Sequence, residues 1–378
     1  DVMRTELCDR FGIDVPIFAF SHCRDVVVAV SKAGGMGVLG AGTYTPEKLR
    51  EELDWIDANI GDKPYGIDIV LPMKIPGLAD IDDVDELTKT LLDEIPQEYM
   101  DFAENLLKEH GVPEWDVNDP VKLIGWTEAT TRPLFEEALI RDKVSLIVSA
   151  LGTPPKDMVD RAHDKGKLVG ALTGKPKHVE SHKAAGVDII IANGAEGGGH
   201  VGEIGSVVLW PQLVDAAGPF PVLAAGGIGN GRQILAALAT GVQGVWTGSM
   251  WLTVEEAQAE PAQILSLLNA SSDDTVVTRS WTGKRARVLN NEWNQSWEGK
   301  EGLTPLGLPL QGLVTADAWR RTEKYAGVAD TQKVALNIVG QVIGQINEIE
   351  TVRQVFERLF EEYIEASKNI AAINKDLI

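Results

Sequence analysis

The fold is decided by residues 189–252, which read IIIANGAEGGGHVGEIGSVVLWPQLVDAAGPFPVLAAGGIGNGRQILAALATGVQGVWTGSMWL. This stretch contains three short apolar runs, Ile189–Ala192, Val222–Ala225 and Gly244–Trp246. None alternates with polar residues, which is typical of parallel strands buried on both faces. Glycine closely follows each run, and a helix pattern from Asn230 to Thr240 separates the second run from the third. The stretch therefore predicts successive strand, turn and helix units of a parallel α/β fold.

Two of the glycine turns, Gly226-Gly227 and Gly248-Ser249, follow the last two of these strands. Backbone N–H groups in such turns can converge on a phosphate. A single glycine turn fits a plain tight turn equally well. Two in succession favour phosphate binding, because the loops after strands seven and eight of an α/β barrel form the usual phosphate site.

Five more strand patterns, separated by helix patterns, precede this stretch and bring the predicted total to eight. They are Pro16–Phe20, Met36–Leu39, Tyr65–Leu71, Val144–Val148 and Leu168–Ala171. Eight βα units in about 255 residues predict a (β/α)8 TIM barrel, which we place at residues 1–254. A doubly wound open sheet is the alternative. The even spacing and the paired glycine turns favour the closed barrel.

An acidic insertion at about 72–125 interrupts the alternation after the third strand. It contains two predicted helices, Val84–Leu92 and Gln97–Glu109, and is too long for an ordinary loop. Because it leaves the C-terminal end of a barrel strand, we expect it to cover the mouth of the barrel and to shape a substrate pocket.

The βα rhythm ends after Glu255. Residues 255–335 predict a second, smaller, mainly helical domain that serves as a substrate or cap domain. Residues 336–378 predict a C-terminal part that packs back on the barrel. Its helices are expected at Val334–Ile346 and Val352–Lys368.

The formal net charge of −21 argues against nucleic acid or an anionic membrane surface as a partner. No apolar run approaches the ~18 residues that cross a bilayer. The two cysteines, Cys8 and Cys23, have no metal-ligand spacing and make no disulfide framework. We therefore expect a cytoplasmic protein without a bound metal, which acts on a small molecule.

The residues that carry a family resemblance are GAEGGGHVGEIGS and PVLAAGGIGNGRQILAALATGVQGVWTGSMWL. Shorter matches are AVSKAGGMGVLGAGTYTPEKLREEL near the N-terminus, TGKRARVLN (Thr282–Asn290) and VGQVIGQI (Val339–Ile346). Together they resemble the nitronate monooxygenase family, formerly called 2-nitropropane dioxygenases. Related members are FMN-dependent enoyl-thioester reductases and NADH:quinone reductases.

This resemblance implies an FMN flavoprotein on a barrel. It assigns cofactor contacts to eight residues: Asp68, Asn193, Gly198, Gly199, Gly226, Gly227, Gly248 and Ser249. The last four would hold the FMN phosphate, and Gly198 and Gly199 would let the chain pass close to the cofactor. Asn193 would contact the flavin edge or the ribityl chain. Asp68 stands where the family usually carries asparagine.

His200 is the expected catalytic base. Imidazole titrates near neutral pH, which suits a proton transfer beside a redox-active ring. A histidine hydrogen-bonded to a loop carbonyl is the alternative role for His200. His22, after the first strand, is a candidate second polar group of the substrate pocket, and a plain loop role is its alternative.

Three functions compete at this point. The first is nitronate monooxygenation with O2 as co-substrate, and the second is reduction of an enoyl thioester or quinone by NAD(P)H. The third is a flavin-free barrel that isomerises or cleaves a phosphorylated substrate. No dedicated Rossmann domain for NAD(P)H is visible in the sequence, which favours the oxygenase.

Overall fold

The computed structural model describes residues 2–70, 81–115, 127–299 and 303–375. The strands are β1 (Ile17–Ser21), β2 (Met36–Gly40), β3 (Tyr65–Ile69), β4 (Val144–Ser149), β5 (Leu168–Thr173), β6 (Ile189–Asn193), β7 (Gly199–His200), β8 (Val222–Ala225), β9 (Gly244–Thr247), β10 (Thr275–Thr278) and β11 (Ala286–Leu289). All but β7, β10 and β11 form a closed parallel barrel in the order β1-β2-β3-β4-β5-β6-β8-β9. The predicted TIM barrel is thereby confirmed. Leu71, the last residue of the predicted third strand, lies outside the described residues.

Fourteen α-helices occur in the described ranges. They are α1 (Glu6–Phe11), α2 (Arg24–Lys32), α3 (Pro46–Asn59), α4 (Val84–Asp93), α5 (Gln97–Glu109), α6 (Glu128–Leu139), α7 (Lys156–Asp164), α8 (Val179–Ala185), α9 (Ser206–Ala217), α10 (Gly231–Ala239), α11 (Pro261–Leu268), α12 (Glu292–Glu298), α13 (Leu310–Lys324) and α14 (Val352–Ile373). Thr45 caps α3 through Lys48 N, and Asn230 caps α10 through Gln233 N. Side-chain oxygens of this kind satisfy donors that a helix start leaves open.

The barrel strands bury both faces, as the unalternating patterns predict. Ile17 and Ile67 belong to the layer between strands and outer helices, whereas Phe18 and Val38 belong to the barrel interior. A side chain at Gly66 would contact Val38, so Gly66 faces inward. Since strand residues alternate between faces, Asp68 also faces inward, at the C-terminal end of β3.

A second hydrophobic core lies outside the barrel. It joins the helices of the acidic insertion to the segment that follows the barrel, through Leu87, Leu91, Leu106, Leu107, Trp281, Val288, Trp293, Trp297, Leu313, Val314 and Val334. Trp281 and Trp293 stack with ring centroids 4.5 Å apart. The parts of the insertion at 72–80 and 116–125 lie outside the described residues. Where the domains begin and end stays a prediction.

The region after the barrel contains α11, α12 and α13, and in addition a three-stranded antiparallel sheet in the order β10-β11-β7. Both β10 and β11 are only four residues long, too short to produce a clear periodic pattern. The sheet matters because β11 pairs with the segment that carries His200.

The helix predicted at Val334–Ile346 is wrong. The chain there contains a short 3-10 helix, Gln341–Gln345, after an extended segment. A side chain at Gly340 would lie 2.7 Å from Glu196 O, and one at Gly344 would lie 2.4 Å from Ser272 Oγ. The segment therefore fits between other parts of the chain only with these glycines.

The predicted helix at the C-terminus is present as α14, which continues to Ile373. The side chain of Glu362 accepts a hydrogen bond from Gly231 N at 2.7 Å, and the rings of Phe356 and Trp251 lie 5.8 Å apart. These contacts place α14 against α10 and the chain that follows β9.

Arg321 joins α13 to the insertion and is only 2% exposed. Its guanidinium contacts Glu104 at 2.6 Å and Asp317 at 3.1 Å, and donates to the carbonyls of Val112 and Pro113. Four acceptor contacts therefore depend on one buried cation, and three of them connect α13 to the insertion.

Replacing Arg321 by Met should destabilise this second core by about 3–5 kcal/mol, because buried acceptors lose their donor. Urea unfolding followed by tryptophan fluorescence measures the change. Arg353→Met is the control, since the Arg353 side chain is 86% exposed and its ion pair in the described ranges is with Glu357 on its own helix. It should cost less than about 0.5 kcal/mol. Equal stability of the two variants would contradict this role for Arg321.

Candidate active site

The C-terminal mouth of the barrel contains a cluster of polar and aromatic side chains. His22 Nδ1 lies 3.0 Å from Gly40 O, and the His22 and Phe20 rings meet edge-on at 5.1 Å. The Phe20 and Trp246 rings are 6.2 Å apart. Gly40 is opposite Asp68 in the β2–β3 ladder. Four strands thus contribute to one surface, which is where α/β barrels place their active sites.

His22 is exposed at this mouth. The residue has a solvent-accessible surface, yet the surrounding protein displaces enough water to lower the pKa of its imidazole. Tyr44 Oη donates a hydrogen bond to His22 O at 2.7 Å and fixes the backbone there. The expectation that His22 lines the substrate pocket stays a proposal.

Asp68 is a buried carboxyl, 5% exposed. Within the described ranges its side chain has neither a hydrogen-bond donor nor a cation as partner. Burial therefore raises the pKa of Asp68 well above its usual range. A protonated carboxyl can donate a hydrogen bond.

His200 lies on β7, and several contacts fix the loop that carries it. The His200–Ala286 register joins β7 to β11, and His200 Nδ1 lies 3.3 Å from Arg285 O. Asn193 Nδ2 donates to His200 O at 2.9 Å. A carbonyl only accepts hydrogen bonds, so in the neutral ring Nδ1 carries the proton and Nε2 is the basic nitrogen.

The pKa of His200 is lowered to about 4, mainly by burial and in addition by the charge of Lys284, while the hydrogen bond to the Arg285 carbonyl partly opposes this shift. The imidazole is therefore neutral at physiological pH. A neutral imidazole is the form that a general base requires.

The turns after β8 and β9 lie side by side, because Ala225 and Trp246 are paired in the barrel. Gly226 and Gly227 have φ values of 87° and 75°, which favour glycine. Within the described part of the chain, backbone N–H groups of Gly227, Ile228, Ser249 and Met250 have no protein acceptor. Four open donors on adjacent turns suit an anion such as a phosphate.

The helix that follows the first of these turns contributes less than the sequence suggests. Gly229 N and Asn230 N already donate to Gln233 Oε1, and Gly231 N donates to the carboxylate of Glu362. The N-terminus of α10 is thus satisfied by the protein itself. An anion would contact the two turns rather than this helix end.

Gly198 has a packing role that the sequence did not reveal. A side chain there would lie 2.8 Å from Gly340 N and 3.0 Å from Val339 Cα. Gly199 differs, since its φ is 75° and its nearest neighbour would be Ile338 at 3.5 Å. Ser249 also contacts this segment, because its Oγ accepts a hydrogen bond from Gly340 N at 2.8 Å. A hydroxyl retains a hydrogen to donate after accepting one.

Sequence reasoning gave no role to Glu196, Lys284 or Arg287. Glu196 Oε2 accepts from Ser206 N and Oγ at 2.8 and 2.7 Å, which fixes the start of α9. Arg287 donates to Ala195 O through two nitrogens at 3.0 and 2.9 Å. The stretches GAEGGGHVGEIGS and TGKRARVLN, which carry the family resemblance, contain these three residues, whereas the partners of their side chains follow only from the fold.

Within the described ranges, no group of three or more histidine, cysteine, aspartate or glutamate side chains could hold a metal ion. No helix among those residues is long and apolar enough to cross a membrane.

A family model described as Nitronate monooxygenase matches residues 7–362. The chain belongs to the nitronate monooxygenase family. A Mycobacterium tuberculosis protein provisionally named a monooxygenase (Rv1533) is 45% identical to it, over 96% of this chain and 97% of the relative. A Staphylococcus aureus protein (strain MSSA476) named a probable nitronate monooxygenase is 27% identical, over 92% and 98%.

Solved structures share the fold over nearly the whole chain. A nitroalkane oxidase from Streptomyces ansochromogenes superimposes with a TM-score of 0.78 at 23% identity, covering 97% of this chain and all of that one. FabK from Thermotoga maritima gives a TM-score of 0.70 at 25% identity, covering 98% and 99%. The predicted family and barrel are confirmed, and the protein is an oxidoreductase.

The buried carboxyl of Asp68 predicts a pH-dependent gain in stability for Asp68→Asn. The raised pKa of Asp68 in the folded state means that the folded protein keeps this proton to higher pH than the unfolded chain. Asp68 therefore destabilises the fold increasingly above about pH 4, until its folded-state pKa is passed. Asparagine has no such cost.

The gain in Tm for Asp68→Asn should be larger at about pH 8 than at about pH 5.5, measured on flavin-free protein by scanning fluorimetry. The exposed Asp62 provides the control, since Asp62→Asn should not change Tm at either pH. A Tm gain independent of pH, or a loss, would show that the Asp68 carboxyl is ionised in the folded protein.

Proposed function

We propose that this protein is an FMN-dependent nitronate monooxygenase, which oxidises alkyl nitronates with O2. The proposal rests on two features that lie at the same edge of the barrel, a neutral histidine and a pair of turns with open N–H groups. The neutral His200 lies on the loop after β6, and the adjacent turns after β8 and β9 present open N–H donors. Family membership supports the same chemistry.

The residues of the two turns fit a phosphate. Gly226, Gly227, Gly248 and Ser249 would hold the phosphate of FMN through backbone N–H groups and one hydroxyl. A side chain at Gly248 would meet no protein atom within 4 Å, so there is room beside this turn. When bound, FMN would accept electrons from the substrate and pass them to O2. Gly198 contributes through packing of the loop rather than through its own approach to the cofactor.

The chain's own residues would manage protons and charge. His200 Nε2 would accept the proton from the carbon next to the nitro group when the substrate is a neutral nitroalkane. A nitronate has already lost this proton and needs no base. Asp68, held neutral by burial, would avoid repelling an anionic ligand and could donate a hydrogen bond to it.

Gly248→Ala tests the phosphate site with little risk to the fold. The φ of Gly248 is −137°, which lies outside the left-handed region that favours glycine, and its surroundings are open. The added methyl group would enter the space that a phosphate needs, so the purified variant should retain less than about a tenth of the wild-type flavin. Absorbance measures the ratio of flavin to protein.

The control is Gly312→Ala, where an added methyl also meets no neighbouring atom. That variant should retain flavin fully. If the Gly248→Ala protein is as yellow as wild type, the phosphate does not bind at this turn.

His200→Asn tests the base. It should retain flavin, because the phosphate turns are separate, and should lose about 10²–10⁴-fold in turnover of a neutral nitroalkane. Turnover of the matching nitronate should fall much less, since no proton has to be removed. Stopped-flow flavin reduction measures both. Equal losses for the two forms would mean that His200 positions the substrate and is not a base.

Reduction of an enoyl thioester or quinone by NAD(P)H is the second candidate, favoured by the fold similarity to FabK. Anaerobic mixing separates the two functions. Bleaching of the yellow protein by a nitronate supports the oxygenase, and bleaching by NADH or NADPH alone supports the reductase. A colourless protein that binds no FMN would support the flavin-free alternative.

A further inference from the structure

The hairpin between β10 and β11 places basic residues near His200. Residues 279–285 read RSWTGKR and carry three cations in a chain of net charge −21. The hairpin continues into Ala286, which is paired with His200. Three cations within these seven residues are a local excess of positive charge in a chain with 35 basic and 56 acidic residues.

The hairpin is fixed in place by α13. Gln311 Nε2 donates to Ser280 O, and Thr315 Oγ1 donates to Trp281 O, each at 2.7 Å. Gly283 has a φ of 82°, and a side chain there would lie 2.4 Å from Leu306 O. Lys284 therefore starts from a rigid backbone, and its position relative to His200 is set by the fold.

Lys284 is the cation of interest. It is partly buried, and burial lowers the pKa of its ammonium. Across the described ranges, no carboxylate lies within ion-pair distance of it, and its side chain has no hydrogen-bond acceptor. Its charge acts on His200. A partly buried ammonium without a counter-ion destabilises the fold unless an anionic ligand pairs with it.

The neighbouring cations differ from Lys284. The guanidinium of Arg287 is engaged by Ala195 O and Thr275 Oγ1. Arg285 is more exposed and lies 4.0 Å from the carboxylate of Glu203. His200 is neutral, so it cannot serve as the cation. Lys284 is left as the positive charge with which an anion beside His200 would pair.

We propose that Lys284 is the anion-binding group of the active site and receives the negatively charged oxygens of the substrate. This inference rests on the proposed function, in which the substrate is a nitronate. Its charge lies on the two nitro oxygens, next to the carbon that faces the base. As His200 removes a proton from a neutral nitroalkane, the same charge develops, and Lys284 stabilises it. Lys284 thereby determines specificity for planar oxyanions.

Nitrate is the probe, because it is a planar oxyanion of similar shape that a flavin does not oxidise. Nitrate is titrated into the flavin-loaded protein at constant ionic strength, and the flavin difference spectrum gives its Kd. Lys284→Met should raise this Kd roughly tenfold or more, the value of one charged hydrogen bond. Lys284→Arg, which keeps the charge, should remain within about threefold.

Arg279→Met is the matched control. It removes a cation from the same hairpin, and Arg279 is exposed and has no ion pair in the described ranges. Its nitrate Kd should stay within about twofold of wild type. A similar increase for Arg279→Met and Lys284→Met would overturn the proposal, since the effect would then be general electrostatics. Absence of saturable nitrate binding to wild type would also overturn it.

A second measurement checks folding without using activity. Lys284→Met should melt at or above the wild-type temperature, because it removes an unpaired, partly buried charge. Nitrate should raise the Tm of wild type more than that of Lys284→Met. If nitrate binding depends on Lys284 but no nitronate is oxidised, the proposed function fails and the anion site stands. If nitronates are oxidised with a KM unchanged in Lys284→Met, the anion site fails and the function stands.

Discussion

Closure of the barrel is the constraint on which the site depends. Closure brings the ends of β6, β8 and β9 to one edge, where Asn193 pairs with Ala225 and Ala225 with Trp246. The three glycine-containing turns that follow these strands therefore share one small volume. Their glycines serve different purposes: Gly226 and Gly227 adopt left-handed backbone, whereas Gly198 makes room for the segment at Gly340.

The side chains discussed at the barrel mouth carry little negative charge, although the chain as a whole is acidic. The carboxyl of Asp68 is held neutral by burial, and so is the imidazole of His200. The ammonium of Lys284 is the opposite case, since nothing in the described ranges neutralises it. Water exclusion strengthens each of these effects. An anionic ligand therefore meets few like charges in the cleft, although the molecule carries a net charge of −21.

The barrel could be predicted from the sequence because each buried parallel strand produces a short continuous apolar run, such as Val144–Val148. The positions of His200 and the glycine turns followed from the same runs. The extended segment around Gly340 could not be read in this way, because its shape is set by Glu196 O, 144 residues away in the chain. The role of Lys284 could not be predicted for the same reason. Only the fold brings this hairpin lysine near His200, through the pairing of β11 with β7. A long-range contact leaves no periodic signal.

The acidic insertion is connected to the chemistry through α13. Arg321 ties that helix to Glu104 and to the carbonyls of Val112 and Pro113. From the same helix, Gln311 and Thr315 fix the hairpin that presents Lys284 and the carbonyl holding the His200 ring. A small displacement of α13 would therefore move the proposed anion site and the imidazole together. Such positioning has to be accurate for catalysis. The second core therefore supports the candidate active site, although its residues lie outside the barrel.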